Sequence, residues 1–503
     1  MHRVSQGRAQ EQRRRRQLLV GLAAVTLATL YVSHSLLGPS EPAWKPVAVL
    51  QADDPSLSIA KSVALEDESE PSTPDAAASN ERKPDISPHT TTPASAVLDD
   101  TEDIHIIFSQ SCDQHRRIIQ QTVLQYTATL VGQRSPITQI IAGCTEEQRA
   151  KVMQEPTFYH DFRRHFTPNY APHPEPGVDD WYTPYNKPYS LRHFLKHADP
   201  PITNKYIALV DGDFAFFHRL QINTGRNVSQ FYFGSRDPAT VNDTVKDGLA
   251  LSMNWGMYGG LMWYKEPDKV KGMCGSGPQA MPCAHVSVED AMEYYEDTAS
   301  PYILTVNDLR KMIDDYCLFT VAGRKLLSNW VIEMEAYTFA TANHGILHTK
   351  LHNYAISLPP WKPKDEEYWW FVDEIPHDVN PCDPNTEAYR PPATSSPLYF
   401  FHYFHLYRKE KYAFYKTDIP ESLSDCDSPL LQLPPADEWI KSRDNPVVQY
   451  RQGERRHLWA QCSLIKLHNQ AMLAYKKATC PNGYNTDQVY PMTHRVEKEK
   501  KDT

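Results

Sequence analysis

Asp211 and Asp213 stand one residue apart at the end of the apolar run Tyr206–Val210, with Gly212 between them. A buried carboxylate costs free energy unless it is paired or bound to a metal, and two within one extended turn repel each other. A divalent cation relieves both problems. Hard oxygen ligands suit Mg2+ or Mn2+, and these ions commonly complete their shell with phosphate oxygens. A cation held here could neutralise a nucleoside diphosphate, above all in a reaction that loads charge onto a departing phosphate. An isolated Asp-x-Asp also occurs in solvated turns, so the surrounding elements carry the decision.

Those elements read as an α/β arrangement. Ile104–Ser109 is a short β-rich run. His115–Val131 has apolar residues at Ile118, Ile119, Val123, Tyr126 and Leu130, close to helical spacing, and Ile137–Cys144 reads as a second strand. Together they predict a β-α-β unit, the building block of a parallel sheet covered by helices. Pro188–Ala198 reads as a helix with proline in its first turn, leading into the strand that begins at Lys205. The two aspartates then lie at the carboxyl end of a sheet strand, where open α/β sheets bind ligands. A later helix, His457–Ala478, carries Leu458, Cys462, Ile465, Met472 and Tyr475 on one face. It is expected to pack on the outside of the domain.

Composition narrows the partners. The chain has 503 residues and a formal net charge of -10, which argues against nucleic acid, because phosphate binding wants a basic face. Residues 1–16 hold six arginines against one acid, and Leu18–Leu37 contains no Asp, Glu, Lys or Arg. That run is long enough to cross a hydrocarbon core of roughly 30 Å. The alternative, a cleaved signal peptide, has a shorter apolar region of roughly 7–15 residues. With arginines on the cytosolic side, the expectation is a type II membrane protein with a cytosolic tail (1–16), a membrane anchor (17–38) and a disordered stem (39–101). The stem is rich in Pro, Ser, Thr and acids and cannot bury enough surface to offset its ordering entropy. A lumenal domain (102–481) with a C-terminal helical extension and a polar tail (482–503) complete the chain. Asn227-Val-Ser229 and Asn242-Asp-Thr244 are glycosylation sequons, and all nine cysteines follow the anchor. In an oxidising lumen some will pair, and the odd count leaves at least one over. The absence of any C-x-x-C argues against a cysteine zinc site.

A strand ending in Asp-x-Asp within such a protein resembles the metal site of GT-A glycosyltransferases. The resemblance sharpens over Phe108–Cys112, Tyr185–Ala198, Tyr206–Phe214, Ser300–Met312, Asn329–Gly345, Ser357–Trp361 and Phe400–Tyr407, in this order. Together these segments resemble the hydroxyproline O-arabinosyltransferase family and its relatives, the peptidyl serine O-galactosyltransferases. The family implies a GT-A fold, Mn2+ or Mg2+, a UDP-sugar donor and retaining transfer to a hydroxyl of a secreted protein in the Golgi. In the first group the donor is UDP-arabinofuranose and the acceptor hydroxyproline; in the second they are UDP-galactose and serine. Ser300-Pro301, Trp330-Val331, His344-Gly345 and Pro359-Pro360-Trp361 lean toward the first group. Asp211-Gly212-Asp213 is nearer the Asp-Ala-Asp of the second.

The resemblance also implies roles. Asp213 is the metal ligand, and Asp211 contacts the metal or the ribose. His402 matches a late third ligand, with His405 its local rival. Asn186 and Lys187 hold the uracil or the diphosphate, or else form an ordinary helix start with a solvated lysine. Glu333 positions the acceptor hydroxyl or stabilises positive charge on the sugar ring; the alternative is a surface carboxylate on an amphipathic helix. Asp308 reads as a helix cap. The aromatic span Trp361–Phe371 forms either an acceptor wall or core packing. Two other classes compete: a lumenal binding protein that kept the fold and lost turnover, and a metal-dependent hydrolase, which needs more ligands than these.

Overall fold

The structure, a computed structural model, describes residues 103–493 other than 174, 233, 256–261, 360–368, 394–396 and 444–447. The expected cytosolic tail, membrane anchor and stem lie outside the described residues. Among the described residues no helix is long and apolar enough to cross a membrane.

The first half runs β1 (Ile104–Ser111), α1 (Arg117–Leu130), β2 (Ile137–Ala142), α2 (Glu146–Gln154), β3 (Phe162–Thr167), α3 (Asn186–His197), β4 (Tyr206–Val210) and β5 (Phe214–Phe216). Next come β6 (Leu249–Asn254), β7 (Thr298–Thr305), α4 (Val306–Leu326), α5 (Ile332–Asn343), β8 (Leu347–Lys350) and β9 (Ala355–Ile356). The C-terminal part holds β10 (Phe400–His402), β11 (Tyr407–Lys409), β12 (Tyr412–Phe414) and α6 (Val448–Thr479). Seven strands form one sheet in the order β3-β2-β1-β4-β7-β6-β8. Only β7 runs against its neighbours. The predicted β-α-β unit is present: β1 and β2 are parallel, with Ile106 opposite Ile137 and α1 as the crossover.

The central strands β1, β2 and β4 are largely apolar and buried along their length, as strands covered on both faces are. Side chains alternate across the sheet. Ile107, Ile207 and Leu209 pack toward Leu191 and Phe194 of α3, Met312 and Phe319 of α4 and Phe339 of α5. Ile106, Phe108, Ala208 and Val210 face the other way, toward Leu124 and Ala128 of α1. The turn before α2 closes with a reciprocal capping box between Thr145 and Gln148.

Two expectations are corrected. Residues 455–468 of α6 are all buried, so the helix is the axis of a further core and not an outer layer. Leu458, Trp459, Ile465 and Met472 meet Trp369, Phe401, Tyr407, Phe414 and Trp439. Some of its polar residues are drawn into the interior with partners: Lys466 Nζ donates to Thr386 Oγ1 at 2.8 Å and His468 Nδ1 to the Leu464 carbonyl at 2.8 Å. Nor does Asp308 cap α4. The Thr305 hydroxyl does so, accepting from Asp308 N–H at 3.1 Å, while the Asp308 carboxylate accepts from Gly248 N–H at 2.7 Å and ties the helix to the turn before β6.

Eight cysteines pair as Cys112–Cys144, Cys274–Cys283, Cys382–Cys462 and Cys426–Cys480, leaving Cys317 as a buried thiol. Cys112–Cys144 joins the carboxyl ends of β1 and β2, beside the strand that carries the aspartates.

Candidate functional site

Strand parity aims Asp211. It follows Ile207 and Leu209 at two-residue spacing, so it emerges on the face covered by α3. There Lys187, in the first turn of α3, places Nζ 3.0 Å from Asp211 Oδ1. Gly212 leaves no room for a side chain: a Cβ would lie 2.9 Å from Gln110 Nε2. That amide cannot swing aside freely, because it donates to Gln120 at 2.9 Å and its oxygen accepts from Gln139 at 2.8 Å. The glycine therefore lets the chain turn tightly and bring the second carboxylate round.

Asp213 immediately precedes β5, which pairs antiparallel with β10 so that His402 lies opposite Phe214. Tyr403 N–H donates to the Asp213 carbonyl at 3.1 Å, fixing the register. His402 Nε2 is 3.3 Å from Asp213 Oδ1 and 3.8 Å from Asp211 Oδ2. The imidazole stacks on Phe214, centroids 4.4 Å apart. One ligand atom from each of Asp211, Asp213 and His402 lies within 4.8 Å of the others, and among the described residues no other trio of His, Cys, Asp or Glu does so. His405 is not part of the group. Two carboxylates and one imidazole suit Mn2+ or Mg2+, and the remaining positions are left to water or phosphate. These three residues could hold such an ion.

Two lysines flank the carboxylates. Besides Lys187 on Asp211, Lys416 Nζ donates to Asp213 Oδ2. Burial alone would raise the Asp213 carboxyl, but Lys416 and then His402 outweigh it and hold it well below the usual carboxylate range. Asp213 is therefore an anion at every physiological pH. Lys187 sits at the positive end of a helix, where a cation is disfavoured. Burial opposes its charge as well, yet Asp211 and Glu333 reverse both effects and raise its ammonium above the ordinary range.

Glu333 lies in the first turn of α5 and is buried, so it is not a surface carboxylate. Its Oε1 is 3.5 Å from Lys187 Nζ and accepts the Tyr316 hydroxyl proton. Burial pushes the carboxyl up, Lys187 draws it down and Asp211 pushes it up again, leaving it at about 7. A group poised there changes charge near neutrality, as an acid–base or charge-stabilising residue must.

Tyr182 sets the start of α5. Its hydroxyl donates to the Trp330 carbonyl and accepts from Glu333 N–H at 3.0 Å, while Arg324 lies over its ring. Tyr182→Phe should leave a buried donor and acceptor unmatched and cost about 1–3 kcal/mol of stability. Urea unfolding is the check, and an unchanged midpoint would deny Tyr182 this role.

Asn186 departs from the expected ligand role. Its Oδ1 accepts from Tyr170 N–H at 2.6 Å, and its Nδ2 donates to Ser111 Oγ at 3.0 Å and Asn169 Oδ1 at 3.2 Å. Both donors are committed to holding the 169–171 loop against β1. Of the aromatic span, 361–368 lie outside the described residues, and Trp369 and Phe371 pack into the α6 core beside Trp459. For those two, the core-packing alternative is the one observed.

Lys416 and Tyr316 were not singled out from the sequence. Lys416 is 203 residues from its partner and stands in no motif. It is delivered by the β11–β12 hairpin that follows His402, and Arg116 fastens the turn by donating to the Thr417 and Ile419 carbonyls.

No family model matches the chain. A curated relative, the peptidyl serine alpha-galactosyltransferase of Arabidopsis thaliana, is 30% identical over 114 residues, which is 22% of this chain and 13% of the relative. That partial likeness, together with the Asp-Asp-His group, supports kinship with a glycosyltransferase.

Proposed function

We propose that the chain is a metal-dependent GT-A glycosyltransferase that moves a pentose or hexose from a UDP-sugar to a hydroxyl of a secreted protein, with retention. The observation that carries this reading is the convergence of Asp211, Asp213 and His402 at the carboxyl end of β4, with a lysine on each carboxylate. Bound there, Mn2+ or Mg2+ would neutralise charge on the departing UDP. The protein's own groups do the rest. Lys187 and Lys416 can turn from the carboxylates to phosphate oxygens, which are better acceptors once the carboxylates hold a cation. Glu333, ionised above about pH 7, orients the acceptor hydroxyl or stabilises positive charge on the sugar ring.

Two readings of the sugar are carried forward. The segments quoted above favour hydroxyproline O-arabinosylation. The partial relative and the Asp-Gly-Asp turn favour galactose transfer to serine. Four disulfides and two exposed sequon asparagines, Asn227 and Asn242, support an oxidising lumen, and we place the domain in the Golgi behind a type II anchor at 17–38.

Detergent-purified full chain, given Mn2+, a serine- or hydroxyproline-containing peptide and either UDP-galactose or UDP-arabinofuranose, should release UDP in a peptide-dependent way with one donor. Failure with both donors would overturn the reading. The lysine exchange has its own signature. Lys416→Met frees Asp213 Oδ2, so Mn2+ alone should bind several-fold more tightly, while UDP in the presence of Mn2+ should bind roughly tenfold more weakly. Calorimetric titration separates the two, and weaker binding of Mn2+ alone would refute the exchange.

A further inference from the structure

Tyr302 on β7 lies opposite Leu209 of β4, so its side chain stands on the same face of the sheet as that of Asp211, two residues beyond Leu209. It is wholly buried. Tyr337 of α5 stacks on its ring with centroids 3.8 Å apart, and Lys187 Nζ stands over the same ring, 5.8 Å from its centre. That is inside the roughly 6 Å over which an aromatic face attracts a cation. Tyr337 is held in turn. Its hydroxyl shares a hydrogen bond with His348 Nε2 of β8 at 3.1 Å, and Tyr316 packs at a steep angle to its ring, centroids 5.5 Å apart. Tyr316 donates to Glu333 Oε1, and Glu333 lies 3.5 Å from Lys187. The contacts close a circuit, Lys187–Tyr302–Tyr337–Tyr316–Glu333, drawn from α3, β7, α5 and α4.

The Tyr302 hydroxyl takes no part in this circuit. It is buried with no hydrogen-bond partner among the described residues, an arrangement that costs stability. Burial also pushes the phenol well above its usual range, against the pull of Lys187, so the ring stays neutral. What the residue contributes here is the ring.

The Lys187 ammonium has two carboxylates within reach, Asp211 at 3.0 Å and Glu333 at 3.5 Å. Both make claims on its N–H donors. The ring attracts the charge through its quadrupole and leaves the donors free for another acceptor. Nor can a metal ion take the ring, as it can take Asp211. A divalent ion on Asp211 would weaken that carboxylate's hold on the lysine, and the ring's hold would remain. We infer that Tyr302 is a positioning residue of the nucleotide site: its ring keeps Lys187 ready for an incoming phosphate oxygen, and through Tyr337 and Tyr316 the same packing keeps Glu333 beside it. This rests on the reading that Lys187 passes from Asp211 to phosphate.

Calorimetric titration of UDP into the full chain with Mn2+ present tests it. Tyr302→Leu removes the aromatic face and should weaken binding roughly tenfold. Tyr302→Phe keeps the face and should restore it, with no loss of thermal stability, because only an unpaired hydroxyl is removed. Should Tyr302→Leu fail to fold, mono-, di- and trifluorinated phenylalanine placed at residue 302 keep the shape and drain the face of negative potential stepwise. Binding should weaken in that order, a trend that packing alone does not produce. Lys187→Met tells the two readings apart. If it binds UDP as the wild type does, the lysine has no phosphate role and the inference falls with it. If it binds weakly while Tyr302→Leu and the fluorinated series bind normally, the lysine reading stands and the role of Tyr302 is overturned. Weak binding by Tyr302→Phe would overturn that role as well.

Discussion

Asp213→Ala is expected to lower metal-dependent UDP release by roughly 10²–10³-fold or more, the scale of losing one electrostatic group aimed at a developing charge. Asp213 is the buried member of the pair and meets both His402 and Lys416, so its removal takes away a metal ligand and the anchor of a lysine together. The fold should survive. The Lys416 side chain is about a third exposed and can turn to water, and the backbone of residue 213 keeps its bond from Tyr403 N–H. Initial rates with the better donor measure the effect, and thermal unfolding shows that the variant is intact. Full activity in a folded Asp213→Ala protein would remove the cation from the account.

Glu333→Gln carries the second large effect, a comparable loss of turnover combined with a changed pH profile. The groups facing Glu333 are Lys187 on α3, Asp211 after β4, Tyr302 on β7, Tyr316 on α4 and Tyr182. Because burial has raised its carboxyl to about 7, the ionised form is lost as pH falls through that value. Wild-type rate should therefore be level above about 7 and decline by about tenfold per pH unit below it. Glutamine keeps the shape and cannot ionise, so the residual rate should show no such limb. An acidic limb that persists in the variant would assign the titration to another group.

Three of the seven strands, β1, β2 and β4, were legible because they are largely apolar runs bounded by turns; β3, with Arg163, Arg164 and His165 at its centre, carries no such signal. The Asp211–Lys187 meeting follows from the same regularity: two-residue parity sends Asp211 to the face that α3 covers. Other parts depend on contacts that no local pattern records. Lys416 reaches Asp213 because the β11–β12 hairpin folds back and Arg116 clasps its end. α6 showed one apolar face and was expected on the outside, but residues 455–468 are buried all round and Lys466 and His468 find partners inside. Asp308 looked like a cap because its type fits one; Thr305, three residues earlier, has the extended backbone and hydroxyl that do the capping. Asn186 was expected to hold the uracil or the diphosphate or to form an ordinary helix start, and its amide is engaged with Tyr170, Ser111 and Asn169.

The most direct test is a titration of Mn2+ into the UDP-saturated full chain, followed by the electron paramagnetic resonance of free and bound ion. A single tight Mn2+ per chain is predicted for the wild type, abolished in Asp211→Ala/Asp213→Ala and weakened in His402→Ala. Unchanged stoichiometry and affinity in the double aspartate variant would contradict the assignment of the cation to these residues.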